Sequence, residues 1–87
     1  MTHSDIVEFF NYNNITINSL VKIQLLSGEI FDARIANSTV LFRYDPNGFI
    51  INSHIKVIHS KSLIEYKFAQ NSIDLFSNDI KEIHIIR

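Results

Sequence analysis

Along most of this chain apolar and polar residues alternate with a period of two. Val21, Ile23 and Leu25 alternate with Lys22 and Gln24, and beyond Ser27-Gly28 the residues Phe31, Ala33 and Ile35 alternate with Asp32 and Arg34. Successive side chains of a strand point to opposite faces, so the pattern predicts a hairpin of Leu20–Leu26 with Glu29–Ile35. Ala36-Asn37-Ser38 interrupts it, and Val40, Phe42 and Tyr44 mark one face of a third strand. Asp45-Pro46-Asn47-Gly48 is the strongest turn signal, because proline suits the second turn position and glycine takes positive φ. It reverses the chain into Phe49-Ile50-Ile51. Alternation returns over His54–His59 and again, past Lys61-Ser62, over Leu63–Phe68, where Ile64, Tyr66 and Phe68 share a face.

After the loop Ala69–Ser72, the apolar positions Ile73, Leu75, Ile80, Ile83 and Ile85 are divided by Ser77-Asn78-Asp79. That spacing predicts two short strands joined by a tight polar turn, either sealing a small barrel or leaving an edge open to another subunit. The N-terminal segment has a different period. Ile6, Phe9 and Phe10 fall at i, i+3 and i+4, Ser4 is placed to cap, and Asp5 and Glu8 suit the positive end of a helix. A helix over about residues 4–12 is expected, ended by Asn11-Tyr12-Asn13-Asn14 and too short to persist undocked. The fold expected is mainly β: this helix plugging one end of a bent antiparallel barrel over about residues 18–87, in one domain.

Composition narrows the class. The chain has 87 residues, enough for one small core, and is 46% hydrophobic, with Ile and Phe prominent, two Gly, one Pro and no Trp. This richness in Ile, together with Asn, is in keeping with an AT-rich genome such as a phage's. Eight Lys and Arg against nine Asp and Glu give a net charge of −1, which disfavours a dedicated duplex-DNA binder. The absence of Cys excludes disulfides and thiolate metal sites and fits a reducing compartment. The start Met-Thr-His-Ser-Asp lacks the basic and apolar regions of a secretory signal, and no apolar run approaches the roughly 20 residues of a membrane span. A soluble, cytoplasmic protein is expected.

Candidate chemistry is sparse. His54 and His59 are separated by an odd number and would face opposite sides of a strand, and neither His3 nor His84 completes a zinc spacing, so no metal is expected. There is no phosphate loop or nucleophile elbow, and Asp74, Asp79 and Glu82 read as a solvated rim. No enzyme, cofactor or small-molecule substrate is implied. Single strands of nucleic acid are held by aromatic stacking and backbone-tracking charge. Tyr12, Phe42, Tyr44, Phe49, Tyr66 and Phe76 offer the first, and Arg34, Arg43, Lys56, Lys61 and Lys67 the second, although most of these aromatics lie on the apolar phase of a strand.

In element order and motifs the chain resembles the Sm-like (LSm) family. Val21-Lys-Ile-Gln-Leu-Leu-Ser-Gly28-Glu-Ile-Phe31-Asp-Ala33-Arg-Ile35 follows the first Sm motif, with Ala33 in the usual Gly position. Leu75-Phe76-Ser77-Asn78-Asp79-Ile80-Lys-Glu-Ile83 follows the later half of the second, with Phe76-Ser77 where the family carries Arg-Gly. The resemblance implies a five-stranded, SH3-like barrel that forms a homo-oligomeric ring by pairing strand edges. It also implies single-stranded RNA held by the loop positions Asn37, Ser77, Asn78 and Asp79, with Phe76 as a stacking group. Ile80, Ile83, Ile85 and Ile86 are the expected inter-subunit edge. The alternative is an SH3-like structural or protein-interaction module that assembles through the same edges and touches no nucleic acid.

Overall fold

The computed structural model describes residues 1–59 and 72–86. The strand expected over Leu63–Phe68, with the candidate residues Lys61, Tyr66 and Lys67, lies outside the described residues. The chain opens with helix α1, His3–Tyr12, whose cap is Thr2 rather than Ser4. Thr2 Oγ1 accepts from Asp5 N at 3.1 Å and Asp5 Oδ2 accepts from Thr2 N at 2.9 Å, a reciprocal box. Only a cap at Thr2 puts Asp5 in the third helical position, where its carboxylate can reach back. The two hydrogen bonds from Thr2, that of the backbone N–H first, hold the Asp5 carboxyl below its ordinary value of 3.8. Ile6 and Phe10, four residues apart, are the buried face of α1.

Six strands form one antiparallel sheet, open among the described residues: β1 Leu20–Leu25, β2 Ile30–Ile35, β3 Leu41–Tyr44, β4 Ile50–His59, β5 Ile73–Phe76 and β6 Ile80–Ile85. β1 and β2 make the expected hairpin, with Val21 opposite Ala33 and Ile23 opposite Phe31. Gly28, at φ 96°, supplies the left-handed turn conformation that a residue with a Cβ rarely adopts. β4 is unbroken through Asn52-Ser53, where the pattern suggested an interruption. Ser53 is fully buried there, and its small side chain fits beneath the turn that follows β5.

β2 and β3 lie on the same side of β4, β2 against residues 57–59 and β3 against residues 50–54. Between them Ala36 N still donates to Lys56 O at 2.8 Å. The two strands are therefore successive halves of one bent line. β5 occupies the opposite side of β4, with Leu75 facing Ile55 and Asp74 facing Lys56.

The last two strands are not paired with each other. β5 pairs with β4 and β6 with β1, and the 3-10 turn Ser77–Asp79 carries the chain from one margin of the sheet to the other. β6 contains a bulge, because Gln24 faces Glu82 while the adjacent Leu25 faces Ile80. The extra residue, Lys81, lets Ile80 and Ile83 both face the core despite their odd spacing. Val21, Ile23, Phe31, Ala33, Ile35, Val40, Ile55 and Val57 complete that core, with Ile6, Phe10 and Ile15 packed over it from the N-terminal segment. No helix among the described residues is long and apolar enough to cross a membrane.

Candidate functional site

The structure distributes the expected binding residues between two places. Asn37 sits in the break between β2 and β3, where its Oδ1 accepts from Thr39 N at 2.9 Å. That break is not a chain reversal. The reversal is made by Asp45–Phe49, where Asp45 Oδ1 accepts from Asn47 N and Phe49 N, both at 2.9 Å. Phe76, Ser77, Asn78 and Asp79 stand together at the end of β5 and in the 3-10 turn.

Within that second group the roles divide. Ser77 is only 1% exposed; its Oγ accepts from Ser53 N at 3.4 Å and its carbonyl accepts from the Met1 nitrogen at 3.1 Å. The Met1 nitrogen also donates to Ile80 O. Ser77 is a packing residue, out of a ligand's reach in this conformation. Asn78 and Asp79 are exposed, and Asp79 O accepts from Leu26 N at 2.9 Å, which ties the turn to the β1–β2 loop. A shallow groove of about 240 Å³ lies between these two turns.

The four isoleucines of the expected edge are likewise divided. Ile80 and Ile83 belong to the chain's own core, whereas Ile85 and Ile86 are half-buried. What β6 offers a neighbour is backbone. Ile86 N donates to Leu20 O at 2.9 Å. Hydrogen-bonded pairs alternate along an antiparallel ladder, so His84 and Glu82 also turn their backbone groups toward β1. Ile83 and Ile85 therefore turn their N–H and C=O groups outward. On β4, Lys56 O faces β2, so Ile55 and Val57 pair toward β5 by the same alternation. Asp74 and Phe76 are then the β5 residues whose backbone groups point outward. Neither outward row meets another strand among the described residues.

The sheet face opposite the core carries the charges. Asp32 pairs with Lys22 at 3.2 Å, Asp74 with Lys56 at 3.0 Å, and Glu82 with His84 at 3.2 Å. His54 is on this face, its Nε2 3.9 Å from Asp74 Oδ1 and its ring tilted 52° to that of Phe76 at 5.4 Å between centroids. His59 lies on the other face, stacked on Phe31 at 4.5 Å, as the odd spacing requires. Among the described residues, Arg34 and Arg43 make neither a hydrogen bond nor an ion pair. Sequence reasoning missed the pairing of Phe76 with His54, since they are 22 positions apart and become neighbours only through the β4–β5 register. No group of three or more His, Cys, Asp or Glu among the described residues could hold a metal ion.

No family model, no curated protein and no solved structure matches this chain.

Proposed function

We propose that this chain is a subunit of Sm-like, SH3-like barrel type that joins head to tail through its strand edges into a homo-oligomeric ring, and that the ring holds single-stranded RNA. The reading rests foremost on the two outward backbone rows, Asp74 and Phe76 on β5 and Ile83 and Ile85 on β6. Among the described residues each row lies on a strand that pairs on one side only, β5 with β4 and β6 with β1, and the two strands are separated in sequence by one short turn. An exposed, apolar, β-prone edge is a standing aggregation hazard, and pairing each β5 row with the next copy's β6 row removes both edges at once. Such a contact is heterologous, so it must close into a ring or grow as a fibre. Counting β2 and β3 as one bent strand also leaves five rows among the described residues, the number the family resemblance implies.

Light scattering on the purified protein at high micromolar concentration tests the assembly. A closed oligomer of one size is expected, and a strict monomer overturns it. The second reading, a structural or protein-interaction module without RNA, is favoured by the buried Ser77 and the acidic Asp79 in the turn. A closed ring with no salt-sensitive affinity for short oligo-U or oligo-A selects that module.

A further inference from the structure

The outer sheet face carries a row of groups suited to a single strand, distinct from the turn Ser77–Asp79. Arg34 stands opposite Ile58 and Arg43 opposite Asn52, six residues apart on β4. At the rise of a strand this is about 20 Å, a span of roughly three extended nucleotides. Between the two arginines the same face presents Lys56 ion-paired with Asp74, then His54 with Phe76 beside it, then Asn52. The order is cation, cation paired with a carboxylate, aromatic pair, amide, cation.

Three features favour an RNA strand on this row. Among the described residues the arginines have no acid to release, so a phosphate meets them unpaired. The His54 and Phe76 rings are the only aromatic pair on the outer face among the described residues, and an aromatic surface stacks any base. Asn52 Oδ1 and His54 Nδ1 are buried without a hydrogen-bond partner among the described residues, so turning these side chains outward onto a ribose hydroxyl would satisfy them.

We propose that single-stranded RNA binds along β4 on the outer sheet face, its phosphates held by Arg34, Lys56 and Arg43 and one base stacked on Phe76 and His54. This deepens the RNA part of the reading above and is independent of the ring, because one chain supplies every group in the row.

The test is fluorescence anisotropy with labelled oligo-U on the full chain, across a salt series, with circular dichroism verifying the fold of each variant. Arg34→Ala and Arg43→Ala should each weaken binding about tenfold and flatten the dependence on salt by about one phosphate contact. Phe76→Leu, which keeps the apolar bulk, should weaken binding at least about fivefold through lost stacking. Lys81→Ala, outside the row, should leave affinity unchanged. Oligo-dT should bind more weakly than oligo-U, and equal binding overturns the choice of RNA. Affinity unaltered by both arginine variants overturns this face while leaving RNA on the ring's turns in place. No binding by the parent chain overturns both. A monomer that still binds with these variant effects overturns the ring and leaves the face standing.

Discussion

Ser77 Oγ accepts the backbone N–H of Ser53 at 3.4 Å, joining two buried serines from the centre of β4 and the turn between β5 and β6. The contact anchors that turn over the middle strand, and the turn in turn sets where both outward edges begin. Ser77→Ala removes the acceptor and leaves a buried N–H unsatisfied, at a cost of about 1–2 kcal/mol. Its exposed neighbour should tolerate the same change, with Asn78→Ala within about 0.5 kcal/mol of the parent. Urea unfolding monitored by circular dichroism measures both. Equal stability of the two variants would remove the anchoring role from Ser77.

The division of β6 into inward side chains and an outward backbone separates folding from assembly. Ile83 is 5% exposed in a single chain, so Ile83→Ala should cost about 2–5 kcal/mol of stability while the folded fraction still assembles. Ile85 turns its N–H away from β1, and proline is tolerated in a strand where that group faces solvent. Ile85→Pro should therefore keep the fold, reduce its stability modestly, and leave a monomer in sedimentation velocity. Assembly of Ile85→Pro at the parent's size would place the contact on another edge.

How much of this was legible in the sequence depended on even spacing. The β1–β2 hairpin follows directly from alternation around Ser27-Gly28, but Leu26 joins the turn, so Leu25 rather than Leu26 comes opposite Glu29. In β6 the period of two fails, because the bulge at Lys81 brings Ile80 and Ile83 to one face despite their odd spacing. The turn Ser77-Asn78-Asp79 looked uniformly polar and solvent-facing. Yet a serine hydroxyl can be buried once it has a partner, and the partner came from β4, 24 residues earlier. Ala36-Asn37-Ser38 interrupts the alternation and so reads as a loop at Asn37, but an interruption can also be a bend inside one line of strand. The cap of α1 was readable at Thr2, whose relation to Asp5 fits a box better than Ser4 with Glu8 does.

The Asp5 carboxyl, held low by Thr2, gives α1 a defined dependence on pH. A carboxyl whose value is lower in the folded chain than in the unfolded one stabilises the fold above the ordinary value of 3.8. That contribution is lost as pH falls through the folded value. Asp5→Asn should thus melt below the parent at neutral pH, and the gap should shrink toward zero at an acidic pH below the parent's lowered value, where its carboxyl is protonated too. Thermal melts at the two pH values read the difference directly. A gap that is constant with pH would mean that the charge on Asp5 contributes nothing to the box.

Asp74 holds Lys56 at 3.0 Å on the outer face, and it is also the acid nearest to His54. Both side chains are more than a third exposed, so the pair adds at most about 1 kcal/mol to stability. Its larger effect falls on ligands. A phosphate arriving beside Lys56 must compete with Asp74 for the ammonium and meets the carboxylate's own charge. Asp74→Asn frees the cation and removes the repulsion while keeping the shape of the side chain. Stability should change by less than about 1 kcal/mol, whereas affinity for oligo-U should rise several-fold at low salt, with the advantage fading as salt screens the charges. Anisotropy titrations of the parent and Asp74→Asn at two salt concentrations measure it. Unchanged or weaker binding by Asp74→Asn would take Lys56 out of the proposed RNA path.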